Sequence, residues 1–210
     1  MLDALAVKYG TDKSSKHHGF ANIYESYLSS FKDRKISLIE IGVGGYQYPD
    51  RGGESLRMWY QYLTNAKLIG IDVYDKENII NDRTEFWKGS QTDKHLLKTI
   101  IERETGAEKR IVIDDASHVN PLTIETFEIV FPLLKSGDLY FVEDVHTSYW
   151  SEHGYEGNEC TAASGTTMQF FSFLTHQLNA EHFHAECRNE FANKIEFIHF
   201  YKEMIVIKKL

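Results

Sequence analysis

At 210 residues the chain has enough length for one sizeable core and too little for two typical domains, so a single domain over 1–210 is expected, with 1–35 as an N-terminal helical cap segment. Lys and Arg total 23 against 31 Asp and Glu, a net charge of −8. That balance argues against nucleic acid as a partner, because such binding sets clustered cations against phosphate, and against anionic membrane surfaces. Two cysteines, Cys160 and Cys187, are too few for a disulfide framework and fit a reducing, cytoplasmic setting. The N-terminal MLDALAVKYGTDK has no long apolar core before its first charges, so no signal peptide is expected. No stretch approaches the ~18 uninterrupted apolar residues of a membrane span.

Apolar spacing predicts a helix over 20–31, where Phe20, Ile23, Tyr24, Tyr27, Leu28 and Phe31 share a face. The run ISLIEI at 36–41 ends in glycines and reads as a buried strand. A helix over 54–63 and a strand over 67–73 follow, then a short strand at TEFWKG and a helix over 94–104. RIVID at 110–114 reads as a strand. Asn120 as N-cap and Pro121 at the first helical position begin the next helix. A strand over 138–142, a helix over 166–178 and two strands joined at Lys202 and Glu203 complete the chain. Alternating strands and helices predict an α/β fold, a doubly wound, mostly parallel Rossmann-like sheet with an antiparallel C-terminal strand pair.

In such sheets ligands bind beyond the carboxyl ends of strands, which selects the residues there. The first strand ends in Glu40-Ile41-Gly42-Val43-Gly44-Gly45, and its glycines allow a tight turn and a close backbone approach to a ligand. Gly42 and Gly44 match the first two glycines of a dinucleotide fingerprint, but Gln47 occupies the place of the third. Asp72 ends the second strand, where a carboxylate accepts hydrogen bonds from ribose hydroxyls. It lies 30 residues after Gly42, and the segment YQYPDRGGES accounts for the extra length as a loop.

Two later strands end in acids: Asp114-Asp115-Ala116-Ser117-His118 and Glu143-Asp144. Clustered carboxylates repel unless a cation neutralises them, and oxygen donors suit Mg²⁺, Mn²⁺ or Ca²⁺ rather than zinc. Asp115, Glu143 and Asp144 are therefore candidate metal ligands. His118, three residues beyond Asp115, is the candidate general base, since a neutral imidazole is the side chain suited to taking a proton near neutrality. His146 is a second candidate base or a substrate ligand. The other histidines are assigned to surface or core.

The segments KYGTDK, LIEIGVGGYQYPDRGGESLRMW, IGIDVYDK, IDDASHVN and VEDVHTSYW together resemble the metal-dependent macrolide sugar O-methyltransferases of the mycinamicin type, class I methyltransferases that use S-adenosylmethionine. The resemblance runs from Lys8 onward and corresponds to that family's catalytic domain, without its extra N-terminal domain. It implies transfer of a methyl group from S-adenosylmethionine to a sugar hydroxyl, with Mg²⁺ or Mn²⁺ bound by Asp115, Glu143 and Asp144 and with His118 as base. It places Glu40, Gly42, Gly44, Asp72 and Asp114 at the cofactor and Gln91 by the adenine. Thr11 and Lys13 then close over the methionine end or the substrate. The 28 residues between Asp115 and Glu143 also resemble the spacing in catechol-type O-methyltransferases. The expected substrate is a sugar-bearing small molecule or a glycan, and a homo-oligomer is expected. Competing readings are a phenol or catechol O-methyltransferase, a cephalosporin-hydroxylase-like oxygenase and a non-catalytic cofactor-binding module.

Overall fold

A computed structural model describes residues 1–76, 79–159 and 164–210; Cys160 and part of the 151–165 loop lie outside the described residues, and Cys187 is a free, exposed thiol. Seven strands hydrogen-bond in the order β3-β2-β1-β4-β5-β7-β6. They are β1 (Ser37–Ile41), β2 (Lys67–Asp72), β3 (Thr84–Lys88), β4 (Arg110–Asp114), β5 (Leu139–Glu143), β6 (Ile195–Tyr201) and β7 (Met204–Lys209). The helices are α1 (Leu2–Tyr9), α2 (Phe20–Leu28), α3 (Glu54–Tyr62), α4 (Lys94–Arg103), α5 (Asn120–Val130) and α6 (Thr167–Gln177). This is the expected mostly parallel sheet with an antiparallel C-terminal pair. Among the described residues no helix is long and apolar enough to cross a membrane.

The chain divides into two compact units, residues 1–91 with 104–112 and residues 92–103 with 113–210, the division passing through β4. In the first unit β1 pairs parallel with β2, Ser37 to Ile41 against Lys67 to Ile71, and β2 pairs parallel with β3. Every residue of β1 is buried, as an apolar run covered on both faces requires. The core below it includes Tyr24 edge-on to Trp59, ring centroids 5.0 Å apart, with Leu2 and Ala6 of α1 fully buried. The predicted helix over 20–31 is α-helical only through Leu28 and ends in a tighter 3₁₀ turn over Ser29–Phe31.

The loop after β1 is held from beneath by one cation. Lys76, 1% exposed, donates from Nζ to the carbonyls of Tyr46 at 2.5 Å and Tyr48 at 3.0 Å. The Arg51 guanidinium lies over the Tyr48 ring, 4.7 Å from its centroid. A buried ammonium needs such acceptors, since its desolvation is otherwise uncompensated.

In the second unit β5 and β6 flank β7, both antiparallel to it, with Glu143 opposite Met204. Phe127 of α5 centres the core there. Its ring lies 4.7 Å from Phe131, 4.8 Å from Phe171, and 5.2 Å from both Tyr140 and Phe191. Asn120 departs from its expected role. The residue preceding α5 is Val119, which makes no capping bond, and Asn120 is the first helical residue, its side chain turned to tertiary partners. Pro121 sits in the first turn as expected.

Two measurements check this packing. Phe127→Ala removes the centre of the aromatic cluster and is expected to cost about 3–5 kcal/mol in urea unfolding; a loss under about 1 kcal/mol would contradict the cluster's role. Lys76→Met keeps the stem but loses the donors, so trypsin should cut after Arg51 faster than in the native chain. An unchanged cleavage rate would contradict the clamp.

Candidate active site

The first unit carries the expected cofactor residues at the carboxyl ends of β1 and β2. Val43 N–H donates to Asp72 Oδ2 at 3.1 Å and Tyr74 N–H donates to Oδ1 at 3.0 Å. Asp72 is thus fixed by backbone amides, and each oxygen keeps a further lone pair for a hydroxyl. Gly42 N–H donates to the Ile71 carbonyl at 2.8 Å, which sets the start of the turn. Gly42 and Gly44 have φ of 87° and 72°. The tightest steric demand falls on neighbours that the fingerprint did not single out. A Cβ on Gly45 would meet the Arg51 carbonyl at 2.3 Å, and one on Gly52 would meet the Gly44 oxygen at 2.4 Å. The GG pair at 52–53 in the sequence was the signal for this close approach, read there only as a loop.

Glu40 is fully buried, with its Oε1 3.5 Å from Lys13 Nζ and its Oε2 accepting from Ser55 Oγ at 2.9 Å. Lys13 is 1% exposed, so the N-terminal segment is drawn to the end of β1 by a buried ion pair. Thr11, also buried, accepts through Oγ1 from the Lys13 amide at 3.4 Å. Ser55, absent from the expected site residues, belongs to this group. Gln91 is buried three residues beyond β3, whose end Lys88 is in register with Asp72.

The second unit carries the acids. Asp115 follows β4, and Glu143 and Asp144 lie at the end of β5. His118 Nε2 lies 3.8 Å from Asp115 Oδ1 and 3.5 Å from Asp144 Oδ2. One donor atom from each of Asp115, His118 and Asp144 falls within 4.8 Å of the others, so the two carboxylates could hold a cation beside His118. Glu143, 3% exposed, is not among these grouped donors. The structure therefore brings together two of the three expected ligands and the expected base.

Backbone conformation is unusual at two of the three. His118 and Asp144 have φ of 56° and 54°, the left-handed region that L residues seldom occupy. Such strain persists where surrounding bonds over-determine it, and here Thr147 Oγ1 donates to the His118 carbonyl at 2.8 Å. His146 Nδ1 lies 3.7 Å from Asp144 Oδ1, beside the cluster.

Asp114 lies beneath the cluster rather than in it. Burial pushes its carboxyl up to about 7, offset in part by hydrogen bonds from the Tyr140 hydroxyl and the Ala116 amide, while the Asp115 charge raises it further. Tyr140 donates to Asp114 Oδ2 at 3.1 Å, and burial and that carboxylate raise the phenol well above its ordinary range. Acids crowded in this way are what a bound cation relieves.

No protein-family model matches the chain. A tetracenomycin-C rhamnosyl 3'-O-methyltransferase of Streptomyces olivaceus, acting on the 8-demethyl-8-(2-methoxy-alpha-L-rhamnosyl) form, is 32% identical over 99% of this chain and 53% of its own length. The mycinamicin VI 2''-O-methyltransferase of Micromonospora griseorubida is 34% identical over 84% of this chain and 44% of its own. The structure of the MycE methyltransferase from the mycinamycin pathway, in complex with Mg and SAH, matches 99% of this chain and 54% of that one, with TM-score 0.91 and 30% identity. The chain spans about half the length of the curated relatives it matches. By sequence and by fold, it belongs to the family of macrolide-type sugar O-methyltransferases.

Proposed function

We propose that this chain transfers a methyl group from S-adenosylmethionine to a hydroxyl of a sugar-bearing small molecule, in the cytoplasm, with a divalent cation, Mg²⁺ or Mn²⁺, at the acid cluster. One observation carries the reading: His118 Nε2 is held between Asp115 and Asp144 by a backbone in the left-handed region. The names of the relatives, which act on rhamnosyl and mycinamicin sugars, support the substrate class.

Asp115 and Asp144 would hold the cation, with Glu143 adjoining on β5. A cation held there would supply charge that lowers the pKa of a sugar hydroxyl. His118 takes the hydroxyl proton on Nε2. The oxygen's electron pair forms the bond to the methyl carbon, the sulfonium–carbon bond breaks, and its electrons return to sulfur. Asp144 stabilises the imidazolium formed on His118, and His146 orients Asp144. Asp72 would bind the ribose hydroxyls, Gln91 would serve the adenine, and the glycine turn would admit the backbone to the cofactor. Thr11 and Lys13, the latter paired with Glu40, would close over the methionine end or the substrate.

Four variants test these roles. His118→Asn suits the left-handed backbone and removes the base, so kcat should fall about 10²–10⁴-fold while S-adenosylhomocysteine affinity is kept. His146→Asn should act mainly on KM; if it proves the more damaging to kcat, the two roles are reversed. Asp144→Asn is likewise tolerant of its backbone, and should weaken Mn²⁺ binding followed by electron paramagnetic resonance; unchanged Mn²⁺ affinity would remove Asp144 from the cation site. Calorimetry of Asp72→Ala should show weakened S-adenosylhomocysteine binding, and unchanged affinity in a folded variant would contradict the ribose role.

A further inference from the structure

Trp150 follows the 3₁₀ turn over Val145–Tyr149 and leaves 44% of its surface exposed. An aromatic face beside convergent polar groups is the usual make-up of a small-molecule site. The indole meets the His146 ring edge-on at 4.6 Å and the Tyr155 ring at 5.6 Å. His146 in turn lies 3.7 Å from Asp144 through Nδ1. The exposed ring thus stands one side chain away from the acid cluster.

The backbone beneath the ring is rigidly placed. Trp150 N–H donates to the Thr147 carbonyl at 3.0 Å, and Gly157 N–H donates to the Trp150 carbonyl at 2.9 Å. A Cβ on Gly157 would meet Thr147 O at 2.4 Å, Trp150 O at 2.5 Å and Trp150 N at 2.6 Å, so only glycine fits. Asn120 Nδ2 donates to the carbonyls of Thr147 at 3.3 Å and Tyr155 at 2.6 Å, locking both ends of the segment that bears the indole. The ring is thus partly open on a fixed support.

We propose that Trp150 is the specificity-determining platform for the acceptor sugar, taking the C–H face of a 6-deoxyhexopyranose such as a rhamnoside against its indole. Stacking there presents the opposite, hydroxyl-bearing edge of the ring to Asp144 and His118. The apolar C5-methyl of a 6-deoxy sugar adds contact area to the indole, whereas the hydroxymethyl of an ordinary hexose must give up hydration. This rests on the sugar-methylation reading above.

The test uses the whole chain and methyl α-L-rhamnoside as probe, with Trp150→Phe and Trp150→Ala as variants. In steady state Trp150→Ala should raise KM for the rhamnoside about tenfold with kcat and KM for S-adenosylmethionine little changed, and Trp150→Phe should recover most of the loss. Independently of turnover, the rhamnoside should shift the tryptophan emission of the native chain and leave that of Trp150→Phe unmoved. An emission shift that survives in Trp150→Phe, no shift in the native chain, or an unchanged KM in Trp150→Ala overturns the platform. If the rhamnoside shifts the native emission as expected but no sugar is ever methylated, the platform stands and the methyltransferase reading fails.

Discussion

Asn120 is the residue on which the second unit's chemistry depends. It is fully buried, and its amide uses both kinds of hydrogen-bonding atom at once. Nδ2 donates to Thr147 and Tyr155, while Oδ1 accepts from Ser148 Oγ at 3.0 Å and from the Thr167 amide at 2.7 Å. One side chain therefore joins the start of α5, the turn after β5, the loop behind Trp150 and the start of α6. A buried amide satisfied on all sides is costly to disturb, because each broken bond leaves a desolvated group unpaired. Thr147, tied to Asn120 through its carbonyl, holds the His118 carbonyl through its hydroxyl. The left-handed backbone of His118 is supported in this way.

A second constraint acts on charge. Asp114, Asp115, Glu143 and Asp144 occupy two strand ends, and Asp114 is pushed up to about 7 chiefly by burial. Burial and the Tyr140 hydroxyl, which donates to Asp114 Oδ2, hold this crowd together. In the first unit the same role falls to Lys13 and Lys76, buried cations that position the N-terminal segment and the glycine loop.

The strands were legible because each is a short apolar run ended by glycine or acid, and β1, β2, β4 and β5 fall within a residue of the predicted spans. The acids and His118 were legible because strand ends in an α/β sheet select them. What was not legible depends on tertiary partners. Asn120 before Pro121 has the local signature of a cap, yet its partners lie 27 to 47 residues away, and satisfying four buried groups outweighs one capping bond. The left-handed backbone at His118 and Asp144 has no sequence marker, since neither is glycine. Lys76 looks like any surface lysine until the loop over it is seen, and Ser55 like an ordinary helix-start serine. Glu143 reads as the equal of Asp144, but it closes β5, whereas Asp144, past the strand's end in the left-handed region, falls in the donor group with Asp115 and His118.

The proposed activity is a cation-dependent sugar methyl transfer at the acid cluster and His118. Its most direct test is a mass-spectrometric assay of the whole chain with S-adenosylmethionine and a panel of rhamnosides, run with Mg²⁺, after EDTA, and with Mg²⁺ restored. The account expects a monomethylated sugar with Mg²⁺, none after EDTA, and recovery on restoration. Full methylation after rigorous chelation would contradict it, as would methylation of catechols with no sugar product.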